Sequence, residues 1–311
     1  MSIRRLYFAA DIHGSERCFL KLLRTPEFYG VDSVIIGGDL TAKFLAPIER
    51  SGAGWVGFFS GQRHELATQE EVDTFRNRAQ VAGSYPVEVD SGGIALLESD
   101  DKFFHETFAK VMVTGLTRWI DRAVDELARK DARLYLLAGN DDPWLIDSIL
   151  ENSVEPVVCL NDRVGSIGDD LVALGYGPTT PTPWNTPREK SEEDVAADLE
   201  AIVAGLPQVP PVWIVHGPPY DSGLDNAFKL QSDLKAEASV VPVGSHAVRA
   251  AIEKYQPLVS LHGHIHESRG ASHIGRTLAV NPGSEYADGT LRGALLVLDK
   301  GKVKGYQLVS G

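Results

Sequence analysis

Five short apolar runs in this chain each stop at a loop carrying Asp, Asn or His, and that repetition narrows the fold more than any other feature. Leu6 to Ala10 runs into Asp11 and His13, and Val34 to Ile36 into Gly38-Asp39. Leu134 to Ala138 leads to Gly139-Asn140-Asp141-Asp142, Val212 to Val215 to His216-Gly217-Pro218-Pro219, and Leu258 to Leu261 to His262-Gly263-His264-Ile265-His266. Runs of this length without polar alternation suit strands buried on both faces, and helical patterns lie between them, so the class is α/β. In open α/β sheets, ligands collect at the carboxyl ends of the strands, because the loops there converge on one crevice. The polar ends of the five runs are therefore expected to meet in space.

Helix signals fill the intervals. Ser15 can cap a helix carrying Phe19, Leu20, Leu22 and Leu23, which should end before Pro26. Thr68 with Glu71, and Ser191 with Asp194, have capping spacing ahead of apolar positions at helical intervals. Gly293 to Leu298 and Val303 to Val309 read as a closing hairpin. Two stretches interrupt the rhythm. The span from Asp39 to Asn140 is far longer than a strand crossover needs, so residues from about 43 to 118 read as an insertion, either a lid that selects substrates or an extra packing layer or dimer surface. It contains a glycine-rich hairpin with Trp55, Phe58 and Phe59, and helical spacing at Val72, Phe75 and Ala79. The alternating Pro and Thr residues of Gly177 to Pro187 make a stiff loop.

Charge and cysteine usage restrict the function. The 311 residues carry a formal net charge of -13, which offers no broad basic field for a nucleic-acid backbone, so nucleic acid is an unlikely partner, though a local basic groove is compatible with that balance. Cys18 and Cys159 are far apart and form no thiolate metal motif, which fits a reducing interior. No run reaches the ~18 apolar residues of a membrane span. Leu6 to Ala10 is too short for a secretory core, and the expected location is cytoplasmic.

Asp11, His13, Asp39, Asn140, His216, His264 and His266 together offer oxygen and imidazole donors, the mixture that suits manganese, iron or zinc. In Asp11-x-His13, Gly38-Asp39, Gly139-Asn140, His216 and Gly263-His264-x-His266, the chain resembles the calcineurin-like metallophosphoesterases, with the motifs in that family's order from residue 11 to residue 266. His216-Gly217-Pro218-Pro219, Gly263 to Ser268 and Asn281-Pro282-Gly283-Ser284 look like the branch related to cyclic-AMP phosphodiesterase. The resemblance implies a single domain of two β-sheets packed between outer helices. It also implies two divalent or mixed-valence metal ions. Asp11, His13, Asp39 and His266 would surround one and Asp39, Asn140, His216 and His264 the other, with Asp39 as the bridge. Hydrolysis of a small phosphate ester by attack of a metal-bridging hydroxide follows, a cyclic nucleotide being one candidate.

One position departs from the family. Asp141 stands where many members have the histidine that contacts phosphate and protonates the leaving group. An ionised carboxylate ~5 Å from substrate would repel each unit of phosphate charge by about 3 kcal/mol at an effective dielectric near 20. Phosphodiesters with good leaving groups are therefore expected over monoesters, unless the metals screen Asp141 or it is protonated. The competing readings are a phosphomonoesterase, a nuclease, and a catalytically weak interaction scaffold on the same fold. His262, on an apolar run, reads as a strand histidine. Asn281 and Ser284 could face the metals or simply build a turn.

Overall fold

A computed structural model describes residues 3–230 and 236–311. Its center is two six-stranded sheets. The first runs in the order Lys302–Ser310, Arg292–Asp299, Arg4–Ala9, Ser33–Gly37, Arg133–Leu137, Val157–Cys159, and its last four strands are parallel. The second runs Gly270–Ile274, Thr277–Asn281, Val259–Leu261, Val212–Val215, Leu171–Tyr176, Arg163–Ile167, with four central parallel strands and antiparallel edges. The two sheets take up all five apolar runs, three in the first and two in the second.

Strand alternation explains the layering, because successive side chains point to opposite faces. Leu6, Phe8, Ile35, Tyr135 and Leu137 face inward and meet Val212, Ile214, Val259, Leu261 and Val280 of the other sheet in one buried core. Tyr7, Ala9, Val34, Ile36, Leu134 and Leu136 face outward, under the helices Glu16–Leu22 and Asp101–Ala128. Phe19 and Trp119 stack there with ring centroids 4.3 Å apart. On the far side, Trp213 and Val215 pack under Glu192–Val203 and His246–Tyr255 through Val195, Leu199, Val248 and Ile252. Each large apolar side chain so buried contributes about 1.5–3 kcal/mol, and both faces of both sheets are covered. The expected order of helix, sheet, sheet and helix is the one observed.

The caps at Ser15, Thr68 and Ser191 form: each side-chain oxygen accepts a backbone N–H three residues on. The first helix ends at Leu22 as its pattern predicts, but the chain re-enters a short helix, Thr25–Tyr29, with Pro26 in its first turn, where a missing N–H costs nothing. Gly177 to Pro187 contains no helix or strand. Between Ser33–Gly37 and Arg133–Leu137 the chain builds a separate four-stranded sheet in the order Gln62–Leu66, Gly54–Phe59, Phe44–Ser51, Ser84–Val89. Ala46, Ile48, Val72, Phe75 and Ala79 form its own small core with the helix Gln69–Val81. Position 118 lies inside the helix Asp101–Ala128, which runs on into the main body. No helix of the described residues is long and apolar enough to cross a membrane.

Candidate metal center

The loops at the carboxyl ends of the parallel strands converge, and they do so at a cost in backbone conformation. Asp11, His13, Asp39 and His264 all have positive φ (55°, 40°, 55° and 67°), a region that side-chain-bearing residues rarely adopt and that is retained where the surroundings impose it. The surroundings here are cross-loop hydrogen bonds. The Asp11 N–H donates to the Gly38 carbonyl (3.0 Å), the His13 N–H to the Asp39 carbonyl (2.9 Å), and the His264 N–H to both oxygens of the Asp11 carboxylate (3.0 and 3.1 Å).

The side chains form two neighboring groups around Asp39, and Asp11 also borders both, with Oδ1 3.8 Å from His216 Nε2. In the first, the Nε2 atoms of His13 and His266 face each other at 3.1 Å, His266 Nε2 lies 3.5 Å from Asp11 Oδ1, and His13 Nε2 lies 3.5 Å from Asp39 Oδ2. In the second, His216 Nε2 lies 3.4 Å from Asp39 Oδ2 and 3.0 Å from Asn140 Oδ1, and the His264 ring is 5.5 Å from the His216 ring. Asp39 Oδ1 is occupied by the Asp141 N–H (3.0 Å). Oδ2 is the oxygen that faces both groups.

Burial and charge set the electrostatics. Asp11 and Asp39 are essentially solvent-free. Burial raises Asp39 to about 6 despite His216 beside it. For Asp11, burial acts in the same direction but is outweighed by the hydrogen bond from His266 and the charges of His266, His216 and His13, which hold it well below the usual carboxylate range. Burial opposes a charge on His216, yet the Asp39 and Asp11 carboxylates raise it to about 10. Burial pushes His264 down to about 3 and lowers His13 as well, keeping both imidazoles neutral with lone pairs to offer.

These residues have the donors to hold metal cations. Only one hydrogen can lie between the Nε2 atoms of His13 and His266, whereas a cation would use both lone pairs, and His13 Nδ1 is buried with no hydrogen-bond partner among the described residues. Three groupings of Asp and His present ligand atoms within 4.8 Å of one another: Asp11, His13 and His266; Asp11, Asp39 and His216; and His13, Asp39 and Asp141. Glycines bring the backbone this close. A Cβ at Gly139 would stand 2.2 Å from Asp39 Oδ1, and one at Gly263 2.5 Å from Asp11 Oδ2.

Several supporting residues carry no local sequence signal. The buried Asp142 accepts hydrogen bonds from the backbone of Leu40, Thr41 and Gly139 and from the Thr41 hydroxyl, tying the Asp39 loop to the Asn140 loop. Arg188, also buried, donates to the carbonyls of Asp142 (2.6 Å) and Pro143 (3.1 Å) and pairs with Asp147. The stiff Pro/Thr loop has a task here: Thr186 accepts the Asn140 amide (2.9 Å), which turns Asn140 Oδ1 toward His216. His216 Nδ1 donates to the Gly37 carbonyl (2.7 Å), directing Nε2 at the donor set. Tyr286 lays its ring 4.6 Å from that of His13.

The open alternatives at the turn resolve as structural. Asn281 Nδ2 donates to the carbonyls of Leu224, Gly263 and Ile265, and the Ser284 hydroxyl to the Asp11 carbonyl (2.7 Å), so both clamp ligand loops. His262 donates from Nδ1 to the Val215 and Gly217 carbonyls, and burial lowers it to about 4, as suits a strand histidine. Asp141 sits beside His13, with Oδ2 3.9 Å from its Nδ1, but its carboxylate is ion-paired with Lys43. The repulsion expected of Asp141 leaves this lysine out. Lys43, about 100 residues away in the chain, could not be placed there from spacing.

No protein-family model matches the chain. The uncharacterized protein MJ1162 of Methanocaldococcus jannaschii is 35% identical over 116 residues, 37% of this chain; the chain spans about half (49%) of that relative's length. Two crystal structures align along essentially the whole chain. One has a TM-score of 0.58 at 18% identity, covering 99% of each chain. The other, TT1561 of Thermus thermophilus, has a TM-score of 0.56 at 13% identity, covering 100% of this chain and 99% of its own. At such identities these likenesses establish a shared fold across the whole length and nothing of the chemistry.

Proposed function

We propose that this protein is a dinuclear metal-dependent phosphoesterase that hydrolyses small phosphodiesters. The observation that carries this reading is Asp39 Oδ2, a buried carboxylate oxygen within 3.5 Å of an imidazole nitrogen from each of two donor groups. Asp11, His13, Asp39 and His266 would hold one cation, and Asp39, Asn140, His216 and His264 the other. Divalent manganese, iron or zinc, when bound, supplies Lewis-acid polarisation of the phosphoryl oxygens and a nucleophile active at neutral pH.

The chain's own residues do the rest. The hydrogen bonds of Asp142, Arg188, Asn281 and Ser284 fix the ligand loops before substrate arrives, which lowers the reorganisation needed at the moment of reaction. Tyr286 shields one side of His13 from water. The Lys43 and Asp141 pair lies beside the donor set, with Asp141 against His13. Position 141 carries an aspartate paired to Lys43 in place of a proton-donating histidine, so esters whose leaving group needs little protonation are favored. That supports diesters such as aryl phosphodiesters, while the repulsion of phosphate charge by Asp141 is reduced by the lysine beside it.

The test is hydrolysis of bis-p-nitrophenyl phosphate against p-nitrophenyl phosphate, first with added manganese and then with excess chelator. The expected result is metal-dependent turnover with the higher kcat/KM on the diester. Turnover indifferent to chelator would remove the metal from the account. A preference for the monoester would remove the diester specificity, and a metal-loaded protein without turnover would favor the scaffold reading.

A further inference from the structure

A second feature lies outside the donor set and runs against the overall charge of the chain. Between the helices Glu16–Leu22 and Gln69–Val81 is a groove of ≈ 830 Å³ bordered by Arg17, Lys21, Arg24 and Arg78, with Phe59 and Ala287 also on its wall. Four cations border this groove on a protein whose net charge is -13. Its one carboxylate, Glu16, turns away to accept from Arg118 and Trp119 (both 2.7 Å). Among the described residues, Arg17, Arg24 and Arg78 have no ion-pair partner, and all three are exposed. Lys21 is steadied by the backbone oxygens of Gly289 and Gly311 (both 2.7 Å).

The arrangement is ordered by the backbone. Arg17, Lys21 and Arg24 follow at intervals of four and three residues, so they share one face of the helical stretch and span about 10 Å along it. Arg78 faces them from the second helix. The stem of Arg17 lies against Gly289, whose positive φ (65°) belongs to the turn that carries Tyr286. Gly83, one residue beyond the groove wall at Ala82, is pressed so close to the site that a Cβ there would stand 2.3 Å from the His13 carbonyl and 2.8 Å from the Tyr286 ring. The groove therefore adjoins the donor set, with Tyr286 between them.

A single phosphate cannot reach cations spread over this length, whereas a row of phosphates can satisfy them in turn. Guanidinium groups suit that role because each presents paired donors to phosphate oxygens. Phe59 adds an apolar ring on the same wall. We propose that this groove is a second anion-binding site, built for a ligand that carries several phosphates in sequence. Free polyphosphate and a single-stranded oligonucleotide share that chemistry. Net charge, averaged over the whole chain, conceals the groove, whose wall carries four cations against one carboxylate.

The groove is tested without metals, so its fate is independent of the phosphoesterase reading. In excess chelator at low salt, sodium tripolyphosphate binding is measured by calorimetry and that of a labeled oligothymidylate by fluorescence anisotropy, using the full chain. Arg17→Glu/Arg78→Glu is compared with Lys300→Glu/Lys302→Glu, which changes the net charge equally where Arg292–Asp299 turns into Lys302–Ser310. The groove variant is expected to weaken binding at least 10-fold and the control less than 2-fold, with wild-type affinity falling steeply as salt rises. Arg17→Gln/Arg78→Gln, the milder change, is expected to lose less in the same direction. Binding of tripolyphosphate identifies a short phosphate chain as sufficient, and binding of the oligonucleotide alone identifies a strand; either supports the site if it depends on the arginines. Absence of binding by both probes, or equal weakening by the two charge reversals, would overturn it.

Discussion

Asp39→Asn is expected to release at least one bound cation and to lower kcat/KM on bis-p-nitrophenyl phosphate by more than 100-fold. The scale follows from metal sites in general, where loss of a mere supporting partner costs about 10- to 100-fold. A shared ligand should cost more. The side chain's orientation sharpens the expectation. Oδ1 accepts the Asp141 N–H, so the asparagine keeps its oxygen there and must turn its NH2 into the position of Oδ2, between His13 and His216. That replaces an anionic acceptor by a donor at the point where both cations would be held. The backbone hydrogen bond survives, so the variant is expected to remain folded. Unchanged activity and unchanged metal content in a folded Asp39→Asn protein would remove the dinuclear reading.

Lys43→Met is expected to move selectivity further toward diesters. The substitution leaves the Asp141 carboxylate without its cation. A charge at ~5 Å with an effective dielectric near 20 repels each unit of phosphate charge by about 3 kcal/mol. A monoester carries roughly one charge more than a diester near neutral pH, so the ratio of kcat/KM for diester over monoester should rise by up to about 100-fold. Partial solvent exposure of Lys43 makes that an upper bound. Lys43→Met/Asp141→Asn removes both charges and should return the ratio close to wild type. A ratio that does not move, or that shifts toward the monoester in Lys43→Met, would show that the pair lies outside the field of the substrate.

The sequence carried the layers and the ligand loops because both are written locally. Leu6, Phe8 and Ile35 alternate with Tyr7 and Ile36 at the strand period, and Asp11, Asp39 and His216 follow their strands within two residues. The strand Leu171–Tyr176 has no such signal, because the loop after it, Gly177-Pro178, bears no donor to mark it, although it is a central member of the second sheet. Asp142 and Asp141 look alike in sequence. One is a buried acceptor that ties two loops together and the other a salt-bridged neighbor of His13, a distinction made only by the groups that surround them. Lys43, Arg188 and Tyr286 act through contacts across 41 to 273 positions of chain, which no spacing rule reaches. The basic groove likewise takes its charge from two helices that meet only in the folded protein.

Anomalous diffraction from crystals soaked in manganese is the most direct measurement of the central claim. The account predicts two peaks about 3.5–4 Å apart, one on each side of Asp39 Oδ2. One would lie toward His13 and His266 and the other toward His216 and Asn140. A single peak, or density away from these side chains with the donor set left clear, would contradict it.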